Sequence, residues 1–319
     1  MKRFASVTLI ATMALAVGAC NSDSSGSDGT NSGKLRVTTI GLCNEQIAWG
    51  IDQKMFDGLD VELVPVQSGA AALAALTAGE TDVAFVNALT SFTAIGKGEP
   101  VQIVGNSALS TEQANGLIVN AKSGITSVRQ LQGKTIAING LNSIGHAMTN
   151  YWIEQEVGEK STAKFTQLPF DQLLPAVVGN RVEAAQVTAS QVSEGQKAGT
   201  TVSLGNPFFV RTGPIPTAFY LAKSEWVQKN PDTAKRFADG MQKASESAND
   251  PANDDKRFPV LAKFCKKPVD IIKQEPESDY EGKVSMDPYR ALVKVLVDQK
   301  LIPGETKWED VVPAFARQA

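Results

Sequence analysis

Ser68-Gly-Ala-Ala-Ala-Leu-Ala-Ala-Leu-Thr-Ala-Gly-Glu-Thr-Asp-Val-Ala-Phe-Val-Asn87 is the stretch on which the fold turns. Residues 69–78 hold no β-branched side chain until Thr77, so they read as a helix capped by Ser68 and stopped at Gly79. An acidic residue, Asp82, then opens the apolar strand 82–86. Working outward, strands are expected at 35–40, 61–66 and 101–104, and a helix at 89–95. The pattern then restarts. A short helix at 127–131 leads to strand 134–138, helix 144–157, strand 164–168, helix 172–178 and strand 183–187. Strands alternating with helices predict βαβ units and largely parallel sheets.

Leu73-Ala-Ala-Leu76…Asp82-Val-Ala84 has a counterpart 101 residues on, in Leu174-Pro-Ala-Val177…Glu183-Ala-Ala185. In each, a small-residue helix leads to an acidic residue and an apolar strand. The glycines that stop the two helices, Gly79 and Gly179, are out of step by one. A repeat of this kind fits two similar α/β lobes. After a strand at 217–222 the character changes to helices at 231–247, 256–265, 269–273, 288–299 and 308–315, punctuated by Pro251, Pro268 and Pro303-Gly304. The expected organisation is one lobe from 34–118 with 216–319, including the helical tail, and a second from 119–215. Crossings between them are expected near 116–121 and 212–217.

The first residues read as an address. Lys2 and Arg3 precede the apolar run 7–17, too short for about 30 Å of hydrocarbon but suited to a secretory signal. The run ends in Val17-Gly-Ala-Cys20, which looks like a bacterial lipobox with Cys20 as the lipidated thiol. Residues 1–19 would then be a lipoprotein signal peptide. Residues 20–33 contain no apolar side chain after Cys20 and read as a flexible tether. Removing residues 1–19 takes the formal charge from -3 to about -5. The expected location is the extracytoplasmic face of a cell membrane, reached through lipid on Cys20.

Composition narrows the chemistry. The 319 residues are 42% hydrophobic and 20% charged, so a core can form, and their length suits two domains. A single His and no ligand spacing argue against a metal centre, and net charge -3 argues against a nucleic-acid partner. No G-x-x-x-x-G-K-[ST] occurs, so ATP is not an expected ligand. No cofactor is implied.

Several segments together resemble the solute-binding proteins of bacterial ABC importers, within the nitrate/sulfonate/taurine and thiamine-precursor group. These are Met55-Phe-Asp-Gly-Leu-Asp-Val-Glu-Leu-Val64, the helix–Gly–acid–strand segment 71–86, Ser127-Val-Arg-Gln-Leu-Gln-Gly-Lys-Thr-Ile-Ala-Ile138 and Lys223-Ser-Glu-Trp-Val-Gln-Lys-Asn-Pro-Asp232. The similarity runs over about 35–300. It implies a periplasmic-binding-protein-like α/β clamshell of type II, with two lobes joined by crossover strands and a monomer closing on its solute. It also implies a membrane permease and a separate ATPase as partners.

In open α/β sheets, ligands sit beyond the carboxyl ends of strands, beside helix N-termini that carry unsatisfied N–H groups. Four loops qualify. The first is 41–46, where Asn44 and Gln46 can hydrogen-bond a ligand and Glu45 can pair with an amine, while Asn44 equally suits a helix cap. The second is the Ser68–Gly69 turn, and the third is Asn87, at the end of its strand or in a plain turn. The fourth is Asn139-Gly-Leu-Asn-Ser-Ile-Gly-His146. The resemblance carries ligand contact onto Asn142, Ser143, Gly145 and His146, and places Thr188, Ser190 and Gln191 opposite them, with Thr217 at the second crossing. Where relatives carry an aromatic or acidic residue in the 188–191 stretch, this chain has small polar ones.

Cys43 and Cys265 either pair in an oxidising exterior, or Cys43 makes a small apolar contact at the ligand. Arg211 is the one arginine expected near the cleft, with a surface ion pair as its other reading, and Trp49 packs in the first lobe or shelves a flat ligand. Catalysis is not expected. Ser143 is misplaced for a nucleophile elbow, and the sole His is three residues away on the same helical turn. The leading expectation is a receptor for a small polar or anionic solute of the sulfonate, nitrate or taurine kind. The alternatives are a thiamine-precursor pyrimidine, an aromatic acid, a sensing role, or a fold-sharing thiamine-precursor synthase. The synthase relies on a Cys-rich segment that is absent from this sequence.

Overall fold

A computed structural model describes residues 33–141, 143–273 and 278–318. The expected signal peptide, Cys20, most of the tether and Asn142 lie outside the described residues. Chain order runs β1 (Lys34–Thr39), α1 (Ile47–Asp52), β2 (Asp60–Pro65), α2 (Gly69–Ala78), β3 (Val83–Asn87), α3 (Ala88–Gly96) and β4 (Val101–Asn106). The short β5 (Ala108–Leu109) precedes β6 (Asn115–Asn120), β7 (Thr135–Ile138), α4 (Ile144–Val157), β8 (Lys164–Gln167), α5 (Phe170–Val178), β9 (Ala184–Thr188), α6 (Ala189–Lys197) and β10 (Thr201–Ser203). The chain ends with β11 (Ala218–Lys223), α7 (Ser224–Lys229), α8 (Pro231–Ala248), α9 (Asp254–Cys265), α10 (Val269–Ile272), β12 (Asp279–Tyr280) and α11 (Met286–Asp298).

Two five-stranded sheets result, ordered β2-β1-β3-β11-β4 and β10-β6-β9-β7-β8. Read from the other edge, the second repeats the first. A parallel trio (β2-β1-β3, β8-β7-β9) is followed by an antiparallel strand, β11 or β6, that arrives from the other sheet. Apolar layers cover both faces of each sheet, which is why β3 and β11 read as continuous apolar runs rather than alternating ones. In the first sheet's larger layer the Phe92 ring meets Phe219, Tyr289 and Trp308 at 5.5, 5.4 and 5.3 Å.

The 101-residue repeat is structural. Asp82 and Glu183 stand at equivalent places before β3 and β9. The Asp82 amide donates to the Arg36 carbonyl at 2.9 Å, and its carboxylate accepts the Arg36 amide at 2.8 Å. Glu183 does the same with Thr135, at 3.0 and 2.9 Å. The mismatch of the two glycines also resolves. Gly79 ends α2 at φ 80°, and its left-handed counterpart is Asn180 at φ 53°, whereas Gly179 keeps φ −81°. Asn tolerates that conformation through its short polar side chain, so the true stop is in register.

Two expectations are corrected. Residues 116–121 are not a crossing. Leu117, Ile118 and Val119 are fully buried in β6, between β9 and β10, and β6 begins at Asn115, ahead of the expected 118/119 boundary. The first crossing lies upstream, beside the second, with Leu109 bridging Pro216. The Ser110 hydroxyl donates to the Phe208 carbonyl and accepts the Ile215 amide, binding the two crossings together. Residues 308–315 form two 3-10 turns, Trp308–Val311 and Ala314–Ala316, because Pro313 supplies no N–H to continue a helix.

Candidate functional site

Four helix N-termini, those of α2, α3, α4 and α6, follow strands or strand-end loops, and each has an oxygen-bearing residue at its cap. The Ser68 hydroxyl accepts the Ala71 amide and Asn87 Oδ1 accepts the Thr90 amide. The Ser143 hydroxyl accepts the His146 amide, while Thr188 and Gln191 form a capping box. These are the sequence-expected positions; the capping reading of Ser68 holds, and Asn87, expected as a ligand or plain-turn residue, is the cap of α3. A cap satisfies only part of a first turn. Among the described residues, no protein group takes the Gly69 and Ala70 amides once Ser68 has taken those of Ala71 and Ala72.

Within the first lobe, α2 and α3 open side by side. A Cβ on Gly69 would lie 3.1 Å from Asn87 Nδ2, so glycine lets the two caps meet. Thr217 joins them from the second crossing, its carbonyl accepting the Ala88 amide and its hydroxyl donating to the Ala108 carbonyl. In the second lobe Gly145 plays the same part for Gln186. A Cβ there would come 2.8 Å from Gln186 Oε1, and Gln186 Nε2 donates to Asn115 Oδ1. Gln186 is 3% exposed and was missed by sequence reasoning. Its signal was present, since it is the one polar residue within Ala184-Ala-Gln-Val187. Ser190 bonds the Thr188 hydroxyl, and Gln191 Nε2 donates to the Phe170 carbonyl. That ties the start of α6 to the start of α5.

The two groups of caps share one core. Ile144, Ala147 and Met148 of α4 pack in the cluster that also holds Val66, Leu73 and Leu89 of the first lobe. The α4 opening therefore lies on the side of its lobe turned toward α2 and α3. His146 is half-buried, its ring 4.2 Å from that of Phe165, and burial lowers its pKa. A neutral imidazole offers no fixed positive charge to an anion.

The first loop is different from the expectation. Glu45 is fully buried and cannot meet a ligand amine here. Its carboxylate accepts from the Thr39 hydroxyl at 2.6 Å and the Leu42 amide at 2.8 Å, pinning the β1–α1 loop from beneath. Burial raises its pKa, opposed by those bonds and by the Ile40 and Gly41 amides. Gln46 is equally buried and donates to Ser245 Oγ. Asn44, exposed, donates to Ser278 Oγ rather than capping α1. Cys43 is not a free ligand contact but is disulfide-bonded to Cys265, with Cα atoms 5.0 Å apart. Trp49 is 1% exposed and donates to Ser247 Oγ, so it shelves nothing. Arg211 takes its surface reading, paired with Glu156. Glu45 is held by near neighbours, whereas Ser245, Cys265 and Ser247, which meet Gln46, Cys43 and Trp49, lie some two hundred residues away in the helical tail.

The described residues include no group of three or more His, Cys, Asp or Glu placed to hold a metal ion, and no helix long and apolar enough to cross a membrane.

Among solved structures, the chain resembles the periplasmic aliphatic sulphonate binding protein SsuA from Escherichia coli. The TM-score is 0.69 with 18% identity, covering 87% of this chain and 96% of that one. The desulfurization enzyme DSZB also shares the fold (TM-score 0.62, 13% identity, 89% and 97% coverage), so the architecture accommodates both binding and catalysis. The protein YtlA of Bacillus subtilis (strain 168) is 22% identical over 225 residues, 69% of this chain and 66% of YtlA, just under two thirds of that relative's length. Residues 56–253 match the family described as "NMT1/THI5 like", which spans both sheets and most of the element order set out above. The chain belongs to the NMT1/THI5-like family, with the two-lobed α/β architecture of periplasmic binding proteins.

Proposed function

We propose that this chain is the solute-binding subunit of an ABC importer, held at the outer face of a membrane by lipid on Cys20. It captures a small organic anion between two lobes, one built on the first sheet (β1–β4 with β11) and the helical tail and the other on the second sheet (β6–β10), and hands it to a permease driven by a separate ATPase. The observation that supports this most is the convergence of the α2, α3 and α4 openings on one side of the fold. Their first-turn amides, with about half a positive charge at each helix start, hold an anion without a basic side chain. A sulfonate or similar monoanion suits such donors. Ser68, Gly69, Asn87, Ser143, Gly145, Gln186 and Thr217 line the proposed site, and lobe closure rather than bond breaking is its chemistry.

A catalytic reading finds no support in the site. The Ser143 hydroxyl takes the His146 backbone amide and the His146 ring packs on Phe165, on the same helical turn as Ser143, so the pair is built as a helix cap rather than as a nucleophile and its base. Binding is tested by calorimetry of residues 34–319 with ethanesulfonate, taurine, nitrate, benzoate and a hydroxymethylpyrimidine. One anion should bind and raise the melting temperature, and Ser143→Pro should abolish that binding while the far-ultraviolet circular dichroism stays native. Binding of the pyrimidine alone, or an unchanged affinity in Ser143→Pro, overturns the reading.

A further inference from the structure

Helix α4 is held from two sides, and the second hold belongs to the other lobe. Trp152 and Ile153 pack into the second sheet's own layer. Ile144, Ala147, Met148 and Tyr151 pack instead with the first lobe's cluster, which includes Val293 and Val297 of α11. At the end of that apolar strip stands a polar clasp. Gln299, the C-cap of α11, accepts Asn150 Nδ2 at 2.9 Å and donates to Glu154 Oε2 at 2.6 Å. Asn150 also donates to Glu154 Oε1 at 3.3 Å, and Glu154 Oε1 takes the Ser161 amide at 3.3 Å. A glutamine side chain thus uses its acceptor and its donor on two residues one helical turn apart, and each partner is itself oriented by a further bond. Both are in the lobe that α11 does not belong to.

We infer that Gln299, with Asn150 and Glu154, is a latch between the lobes and a positioning residue for the α4 opening. It touches no ligand. It acts by holding α4 against α11, so that Ser143 and Gly145 stand opposite the α2 and α3 openings. Because the apparent affinity of a two-state receptor scales with the fraction in the binding-competent state, an effect on lobe closure appears as an effect on affinity. The inference about affinity rests on the function proposed above, whereas the inference about closure does not.

The test compares the wild type with Gln299→Ala, Asn150→Ala and the double variant, each checked for native circular dichroism. Small-angle scattering and hydrogen exchange of α4 and α11 are measured without ligand, and affinity is measured for ethanesulfonate. Gln299→Ala should enlarge the radius of gyration and speed exchange at the α4–α11 contact. It should also weaken ethanesulfonate binding about tenfold, with the double variant no worse than either single one. Unchanged scattering and exchange overturn the latch. Opened lobes with unchanged affinity overturn the positioning role. If the wild type does not bind ethanesulfonate, the function proposed above fails for that probe, and scattering with exchange still decides the latch. A variant that does not fold is replaced by Gln299→Glu, which keeps the size, loses the donor to Glu154 and places two carboxylates together. It should open the lobes further at pH 8 than at pH 4.

Discussion

Replacing both Cys43 and Cys265 by Ala should lower stability by an amount set chiefly by chain entropy. The bridge spans 222 residues and ties the β1–α1 loop to the end of α9. Closing a loop of that length removes about 18 cal/mol/K from the unfolded chain, or about 5 kcal/mol at 25 °C. The native contacts around it are modest. Cys43 and Ala48 meet Phe258, Leu261 and Ile272 in a small cluster apart from both sheet cores. The native state therefore loses two sulfurs and little packing. For the 286 residues from Lys34 onward, an unfolding entropy of about 2.1 cal/mol/K per residue turns about 5 kcal/mol into a melting-temperature drop of about 8 °C. Calorimetry of the double variant and of dithiothreitol-treated wild type should give the same drop, with thiol titration confirming two thiols gained on reduction. A shift under 2 °C would refute the reasoning, because it would mean that the ends are already held together when the rest of the chain unfolds.

Glu45 should make stability depend on pH in an unusual direction. Its folded pKa is raised, chiefly by burial, so the folded protein binds the proton more tightly than the unfolded chain. Stabilisation from the neutral carboxyl is present below the unfolded pKa and is lost as pH climbs through the folded one. Melting temperatures of wild type minus Glu45→Gln should accordingly fall between pH 4 and pH 7, and a rising difference contradicts this. At the two helix stops, Gly79→Ala should cost about 1 kcal/mol, since φ 80° opposes a Cβ and the nearest atom, Lys223 Nζ, is 3.8 Å away and does not clash. Asn180→Gly relieves φ 53° but loses the bond that Asn120 Nδ2 donates to Asn180 Oδ1, so it should change stability little, and Gly179→Ala, whose Cβ would lie 3.1 Å from the Pro175 carbonyl oxygen, should cost less than Gly79→Ala, as read by urea midpoints. Equal losses at Gly179 and Gly79 would put the stop where the sequence alone suggested.

Much of the fold was legible because its signals are local. Helix 144–157 and helix 69–78 are bounded as expected, by serine caps before and left-handed glycines after. Those caps are near-neighbour chemistry, so four of the candidate site positions, Ser68, Asn87, Ser143 and Thr188, were readable too. The acidic residues ahead of β3 and β9 are legible as a repeat, whereas their grip on the neighbouring strand is not.

Legible in the residues alone, therefore, are the alternation of strands and helices and the caps. Each depends on residues within about four positions of one another, where the backbone fixes who can meet. Which polar side chains of the first loop are turned inward follows from packing and not from spacing. Glu45, Gln46 and Cys43 were turned inward by Thr39, Ser245 and Cys265, two of them some two hundred residues away. The tertiary structure alone also brings Gln299 to Asn150 and Glu154, a meeting no spacing encodes. Composition says that a buried carboxylate or amide needs a partner. For Glu45 the β1–α1 loop and the strand before it supply it, and for Gln46 the packing of the helical tail does, through Ser245.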